Sequence, residues 1–191
     1  MPRIDSEKFY HSSIKKHGTS PQGVHWLCKN NQDLRFEAIC EMLPEKVDSL
    51  VDAGCGFGDF YHFIQNHTIE LEKYTGIDSL QTMCDKAIEN THQEILLADI
   101  TKDKIPYAEY YICSGALNLL HRFETYLFIA NCYKKSQKAF VFNVLYGNKK
   151  SDTYNYMSKE DILDIATQLK VSKTVFTEGY LKDDITVGFF V

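Results

Sequence analysis

From position 51 to 59 the chain reads Val-Asp-Ala-Gly-Cys-Gly-Phe-Gly-Asp: one acid, Asp52, then glycines at 54, 56 and 58, then a second acid, Asp59. Glycines so spaced let the backbone turn tightly and bring N–H groups against a ligand. The spacing is G-x-G-x-G rather than the G-x-G-x-x-G of dinucleotide sites. Asp59, at the start of the next helical stretch, would set negative charge against a diphosphate, which disfavours an NAD-dependent oxidoreductase. Further acids, Asp78 and Asp99, each close a short apolar run, and Ser114-Gly115 follows another. Asp78 lies 24 residues after Gly54, where a carboxylate can accept hydrogen bonds from both hydroxyls of a ribose. The plainer alternative for Asp78 is a solvated turn or a helix cap.

The elements that must carry these residues alternate between short apolar runs and amphipathic stretches from about residue 46 onward, the pattern of βαβ units. Strands are expected at 47–52, 74–78, 94–99, 107–113 and 139–146. Between them fall helices marked by Phe60, Phe63 and Ile64, then by Leu80, Met83, Cys84, Ala87 and Ile88, then by Leu120, Phe123, Leu127 and Ala130. The run 139–146, apolar almost throughout, suits a central strand covered on both faces. Ser158-Lys159-Glu160-Asp161 fits a capping box opening a helix with Ile162, Ile165, Ala166 and Leu169 on its buried face. Runs at 171–176 and 185–191 close the chain as a hairpin. Only about eight residues join the third strand to the fourth. A sideways and backward reach of roughly 22 Å is within the roughly 26 Å of eight extended residues, so that crossover is expected to lack a helix.

Residues 8–33 hold Gly18, Pro21, Gly23 and three histidines without a sustained period and read as a loop laid over the domain; 31–43 then looks helical. The whole is expected to form a single domain, 1–191, with an N-terminal flap and helix at 1–45 and a sheet core at 46–191. In a parallel sheet the carboxyl ends share one edge, so Asp52, Asp78, Asp99 and the Ser114-Gly115 turn should converge on one crevice.

Composition narrows the functions. The 191 residues carry a formal net charge of -5, with 44% hydrophobic and 25% charged side chains, so no bulk basic surface exists to hold a nucleic acid. No apolar run approaches the roughly 20 residues of a membrane span. The first residues show no basic stretch leading into an apolar one, so a cytoplasmic address is expected. Six dispersed cysteines without a C-x-x-C pair suggest neither a metal site nor disulfides; Cys40, Cys84, Cys113 and Cys132 sit in apolar-periodic segments as small hydrophobes.

On the residues from Asp52 to Asp99, the chain resembles the class I S-adenosylmethionine-dependent methyltransferases. The resemblance extends from about residue 31 to the end. It implies an α/β, Rossmann-like, doubly wound sheet of seven strands in the order 3-2-1-4-5-7-6, the last antiparallel, with helices on both faces. It also implies S-adenosyl-L-methionine as cofactor and S-adenosyl-L-homocysteine as product. Gly54, Cys55, Gly56 and Gly58 would wrap the methionine part, with Asp52 ordering that loop or meeting the amino group. Asp78 would hold the ribose, Ser79 and Leu80 would line the adenine, Asp99 would meet its exocyclic amine, and Ile100 would pack on the ring. Trp26 and the Gln32-Asp33-Leu34-Arg35-Phe36 helix are similar to a smaller bacterial branch of the family. There Arg35 would suit the cofactor's carboxylate; a surface ion pair is the plainer alternative.

The loop after the fourth strand, 114–118, lies nearest the transferred methyl in that family. It lacks the N/D-P-P-Y/F pattern of amino-methylating enzymes, and the Pro-Cys of cytosine C5 enzymes is absent. Asn118 and His121 could orient or deprotonate an acceptor; the alternatives are a helix cap for the first and a solvent-facing ring for the second. Tyr154 and Tyr156, with Tyr10 and His25 of the flap, could wall the acceptor pocket. The flap and one loop leave room to shape a site for a small molecule, so a small-molecule acceptor is expected. Two other readings stand beside it: a non-catalytic module binding the cofactor or its product, and a methyltransferase acting on RNA or protein with a partner.

Overall fold

A computed structural model describes residues 29–191. The elements are helix α1 (Lys29–Cys40), strand β1 (Lys46–Ala53), α2 (Asp59–Gln65), β2 (Glu70–Asp78), α3 (Gln81–Thr91), β3 (Glu94–Leu97) and β4 (Ala108–Cys113). A 3₁₀ turn (Ala116–Leu119), α4 (Arg122–Lys135), β5 (Ser136–Tyr146), β6 (Tyr156–Met157), α5 (Lys159–Leu169), β7 (Lys173–Glu178) and β8 (Asp184–Phe190) follow. The main sheet runs β3-β2-β1-β4-β5-β8-β7, parallel except that β8 is antiparallel to both neighbours. This is the expected order of seven. An eighth strand, β6, pairs two residues in parallel with Leu145 and Tyr146; two residues carry no periodicity to announce it.

Strand period 2 divides the core. Phe140 and Phe142 of β5 join one cluster with Phe128 and Ile129 of α4, Ile162 of α5 and Phe189 of β8. Ala139 and Val141 point the other way, to Phe36 and Ile39 of α1 and Phe60 and Ile64 of α2. Helices therefore cover both faces, and β5 lies between β4 and β8 with both sides buried, as its apolar run requires. The link between β3 and β4, residues 98–107, contains no helix. Ile100 and Ile105 of that link are buried, and Asn131 of α4 donates to the Ile100 carbonyl at 2.8 Å.

Four local expectations shift. The helix expected over 31–43 spans Lys29–Cys40. The buried face of α4 is Thr125, Phe128, Ile129, Ala130, Cys132 and Tyr133, so of the expected stripe Ala130 is buried while Phe123 is 71% exposed. Leu120 lies before the first helical residue, so a stripe counted from it is out of phase with the helix. Ile88 of α3 is likewise exposed, beyond the buried Met83, Cys84 and Ala87. Strand β2 begins four residues before Tyr74, its charged Glu70 and Lys73 carried by backbone pairing with β1 rather than by side-chain burial. The capping box at Ser158 forms as expected, with Ser158 Oγ accepting from Asp161 N at 3.1 Å.

One glycine of the loop serves packing. Gly58 has φ +83°, and a Cβ there would lie 2.4 Å from Cγ2 of Thr91 on α3. Gly58→Ala is expected to cost about 1–3 kcal/mol in urea unfolding. Adding Thr91→Ser should recover only the steric part; full recovery would mean that the backbone conformation carries no strain.

Candidate functional site

The carboxyl ends of β1, β2, β3 and β4 open on one cavity. Gly54 and Cys55 donate their backbone N–H groups to the Ile77 carbonyl at 2.7 and 3.0 Å, which ties the glycine loop after β1 to the end of β2. Asp78, the last residue of β2, completes the tie: Oδ2 accepts from Gly56 N and Oδ1 from Leu80 N, each at 3.0 Å. Ser79 N–H is a third backbone donor to it, and since a carboxylate offers about four lone-pair directions, about one stays open to a ligand. Gly54 (φ +79°) lets the loop pass Ala116 closely, since a Cβ would stand 2.5 Å from the Ala116 Cβ.

The cavity wall includes Arg35, Asp52, Gly54, Cys55, Gly56, Asp78, Ser79, Leu80, Asp99, Ile100, Ser114, Asn118 and Tyr154. Gly58 lies outside it, engaged with α3. His121 is exposed at the N-cap position of α4, with its backbone N–H donating to Glu124, and does not reach the cavity. Tyr156 is in β6, also outside the wall, and Lys149 lies over its ring. Tyr10, His25 and Trp26 fall outside the described residues.

Charge dominates this wall. Asp52 is buried and accepts from the Tyr74 hydroxyl at 2.8 Å. Burial pushes its carboxyl up to about 7, helped by the charges of Asp78 and Asp59 and opposed by the Tyr74 bond. Burial likewise lifts Asp78 to about 6, against the pull of its backbone donors. Asp99 differs: burial raises it, but Lys102 and Thr101 outweigh that and hold it below the usual carboxylate range. Asp59, which also lines the cavity, accepts from Gln32 Nε2 at 2.9 Å. Four carboxylates against the Arg35 guanidinium make a wall that favours a cationic ligand and opposes a diphosphate.

Arg35 is in the wall, but its ion pair is buried, not on the surface. Its Nε and Nη2 both donate to Oδ2 of Asp184 at the start of β8, Nε at 2.6 Å. Tyr180 donates to the other oxygen of Asp184 at 2.9 Å and accepts from Thr186, which in turn accepts from Asn143 at 2.6 Å. Burial raises the Asp184 carboxyl despite Arg35. Asp184 escapes a sequence reading because its neighbours Lys182 and Asp183 mark a solvated turn, and nothing local points to Arg35. Asn118 is likewise no helix cap: it lies inside the 3₁₀ turn, its Oδ1 accepts from Leu145 N at 3.0 Å, and its carbonyl accepts from Asn155 N at 2.8 Å. That second bond anchors the loop that brings Tyr154 to the cavity.

No protein-family model and no curated protein sequence matches the chain. Solved structures do. Magnesium protoporphyrin IX methyltransferase from Synechocystis, with S-adenosylhomocysteine bound, superposes with a TM-score of 0.64 at 12% identity over 100% of this chain and 89% of its own. The pyocyanin biosynthetic protein PhzM gives 0.69 at 13%, over 95% of this chain and 61% of its own. An S-adenosylmethionine-dependent methyltransferase from Clostridium acetobutylicum gives 0.60 at 14%, over 97% and 98%. The fold is that of the class I S-adenosylmethionine-dependent methyltransferases.

Two predictions follow from the charges. An aspartate that ionises near 3.8 when unfolded and about 7 when folded makes the native state bind more protons between those values, so stability falls as pH rises through that window. Asp52→Asn should therefore raise the stability of the ligand-free protein at pH 8 by about 4 kcal/mol and flatten its pH dependence above pH 4. Thermal unfolding across pH checks this, and an unchanged profile would contradict it. Arg35→Met, which strands the buried Asp184, should cost about 3–5 kcal/mol, and Arg35→Met with Asp184→Asn markedly less; additive losses in urea unfolding would refute the charge argument.

Proposed function

We propose that the chain is an S-adenosylmethionine-dependent methyltransferase acting on a small-molecule acceptor. The observation that carries this is the convergence of the glycine loop, Asp52, Asp78 and Asp99 on one cavity at the carboxyl edge of a sheet in the methyltransferase order. When bound, S-adenosylmethionine supplies a methyl group on a sulfonium, a strong electrophile. Transfer breaks that sulfur–carbon bond and forms one from the methyl carbon to an acceptor O, N or S, with any acceptor proton passing to water.

The residues fit such a ligand. Asp78 would offer its remaining lone-pair direction to a ribose hydroxyl, Asp99 with Ser79, Leu80 and Ile100 would take the adenine, and the glycine loop would lie against the methionine part. Arg35, held by Asp184, would face the carboxylate. The acidic wall suits a sulfonium and an ammonium. Asn118 and Tyr154 would orient the acceptor, since correct alignment supplies most of the acceleration in a displacement at an activated methyl. The similar structures of a magnesium protoporphyrin IX methyltransferase and a pyocyanin biosynthetic protein support an acceptor of that size. A cytoplasmic protein would meet such acceptors directly.

Calorimetric titration with S-adenosylmethionine, S-adenosylhomocysteine and NAD tests the reading. Micromolar binding of the first two without the third is expected, weakened by about 1–3 kcal/mol in Asp78→Ala, the cost of a lost charged hydrogen-bond partner. Binding of NAD alone, or of none, would overturn it.

A further inference from the structure

Helix α1 turns two polar side chains, Gln32 and Arg35, into the cavity wall from one face, three residues apart. Gln32 is 2% exposed. Asp59 dictates the orientation of its amide: a carboxylate only accepts, so the contact at 2.9 Å is Nε2 donating. Oε1 is thereby left as a buried acceptor without a hydrogen-bond partner among the described residues. Buried polar atoms are almost always paired, and an orphan of this kind is relieved by a ligand that brings a donor.

The surroundings select the donor. Asp59 stands at the start of α2, directly after the glycine loop, and Asp52 lies in the same wall. A neutral N–H would satisfy Oε1 alone, whereas a cationic one would also balance the carboxylate beside it. The adenine amine is excluded by position. Its expected partner, Asp99, follows β3, and the order β3-β2-β1 sets the glycine loop two strand spacings away, about 9.6 Å.

We propose that Gln32 Oε1 and the Asp59 carboxylate together form the receptor for a primary ammonium, the one at the amino-acid end of the cofactor. Gln32 is then a specificity residue, separating ligands with an intact amino-acid end from truncated nucleosides. This rests on the methyltransferase reading and deepens it by assigning one ligand group to a side chain outside the sheet core.

The test is calorimetry on the full chain and on Gln32→Met, with three probes: S-adenosylhomocysteine, its des-amino analogue in which hydrogen replaces the ammonium, and methylthioadenosine, which lacks the amino-acid end. In the unsubstituted protein, losing the ammonium should weaken binding at least about tenfold. In Gln32→Met the same loss should cost about threefold or less, while methylthioadenosine binds both proteins alike. If the des-amino analogue binds the unsubstituted protein as tightly as S-adenosylhomocysteine, the proposal fails whether or not the variant folds. An equal ammonium penalty in both proteins also overturns it, because the group is then read elsewhere. Silence of all three probes on the unsubstituted protein instead brings down the cofactor reading itself, and this receptor with it.

Discussion

The site depends on burying carboxylates at the ends of adjacent parallel strands. β1 and β2 pair in register from Lys46 with Glu70 to Ala53 with Ile77, which brings Asp52 and Asp78 to the same edge. Both charges resist burial, as their raised carboxyl groups show. They are held there by the ladder below and by the donors above, Tyr74 on one and the backbone of the glycine loop on the other. The loop's conformation and the acids' positions are therefore one structure: Gly56 needs Asp78 as its acceptor, and Asp78 needs Gly56 N to stay charged. Buried acids set side by side cost free energy without a counter-charge, and a cation bound there would offset it.

The remaining elements close this edge from the side. Arg35 reaches from α1, at the start of the described chain, to Asp184, 149 residues later on β8. The pair pins the helix that covers α2 and β5 to the antiparallel strand, while Phe36 meets Phe60 edge-on at 5.2 Å behind it. Buried ion pairs of this kind contribute less to net stability than to fixing one arrangement, because desolvation offsets much of the attraction. Here the arrangement fixed is the depth at which Gln32 and Arg35 stand in the cavity wall.

The helix-free link of residues 98–107 and the convergence of Asp52, Asp78, Asp99 and Ser114 are legible in the sequence because each rests on local signals, namely apolar runs, their ends and the length of a link, whereas the strand order follows from the family resemblance. The identity of a polar partner is not local. Nothing near Arg35 indicates Asp184, and nothing near Gln32 indicates that its amide oxygen is left alone. Helix phase fails for a related reason at α4, where Leu120 belongs to the preceding turn: Phe123, counted from it, faces water, although Ala130 is buried. Gly58 shows a third limit: a glycine in a ligand-type motif can be required by a neighbouring helix instead of by the ligand.

What the site can do to an acceptor is narrowed by the same polar pairings. Asn118 lines the cavity, but Leu145 N already occupies its amide oxygen, so the side chain has N–H groups to offer and can orient an acceptor without taking its proton. His121 stands exposed at the start of α4, away from the cavity. The wall's carboxylates are each committed, Asp52 to Tyr74, Asp78 to the glycine loop, Asp59 to Gln32 and Asp99 to Thr101 and Lys102. On the proposed function, this wall would hold a cation and align a nucleophile that is already reactive. Such a division suits methyl transfer, where the electrophile is activated before it enters and geometry is the protein's main contribution.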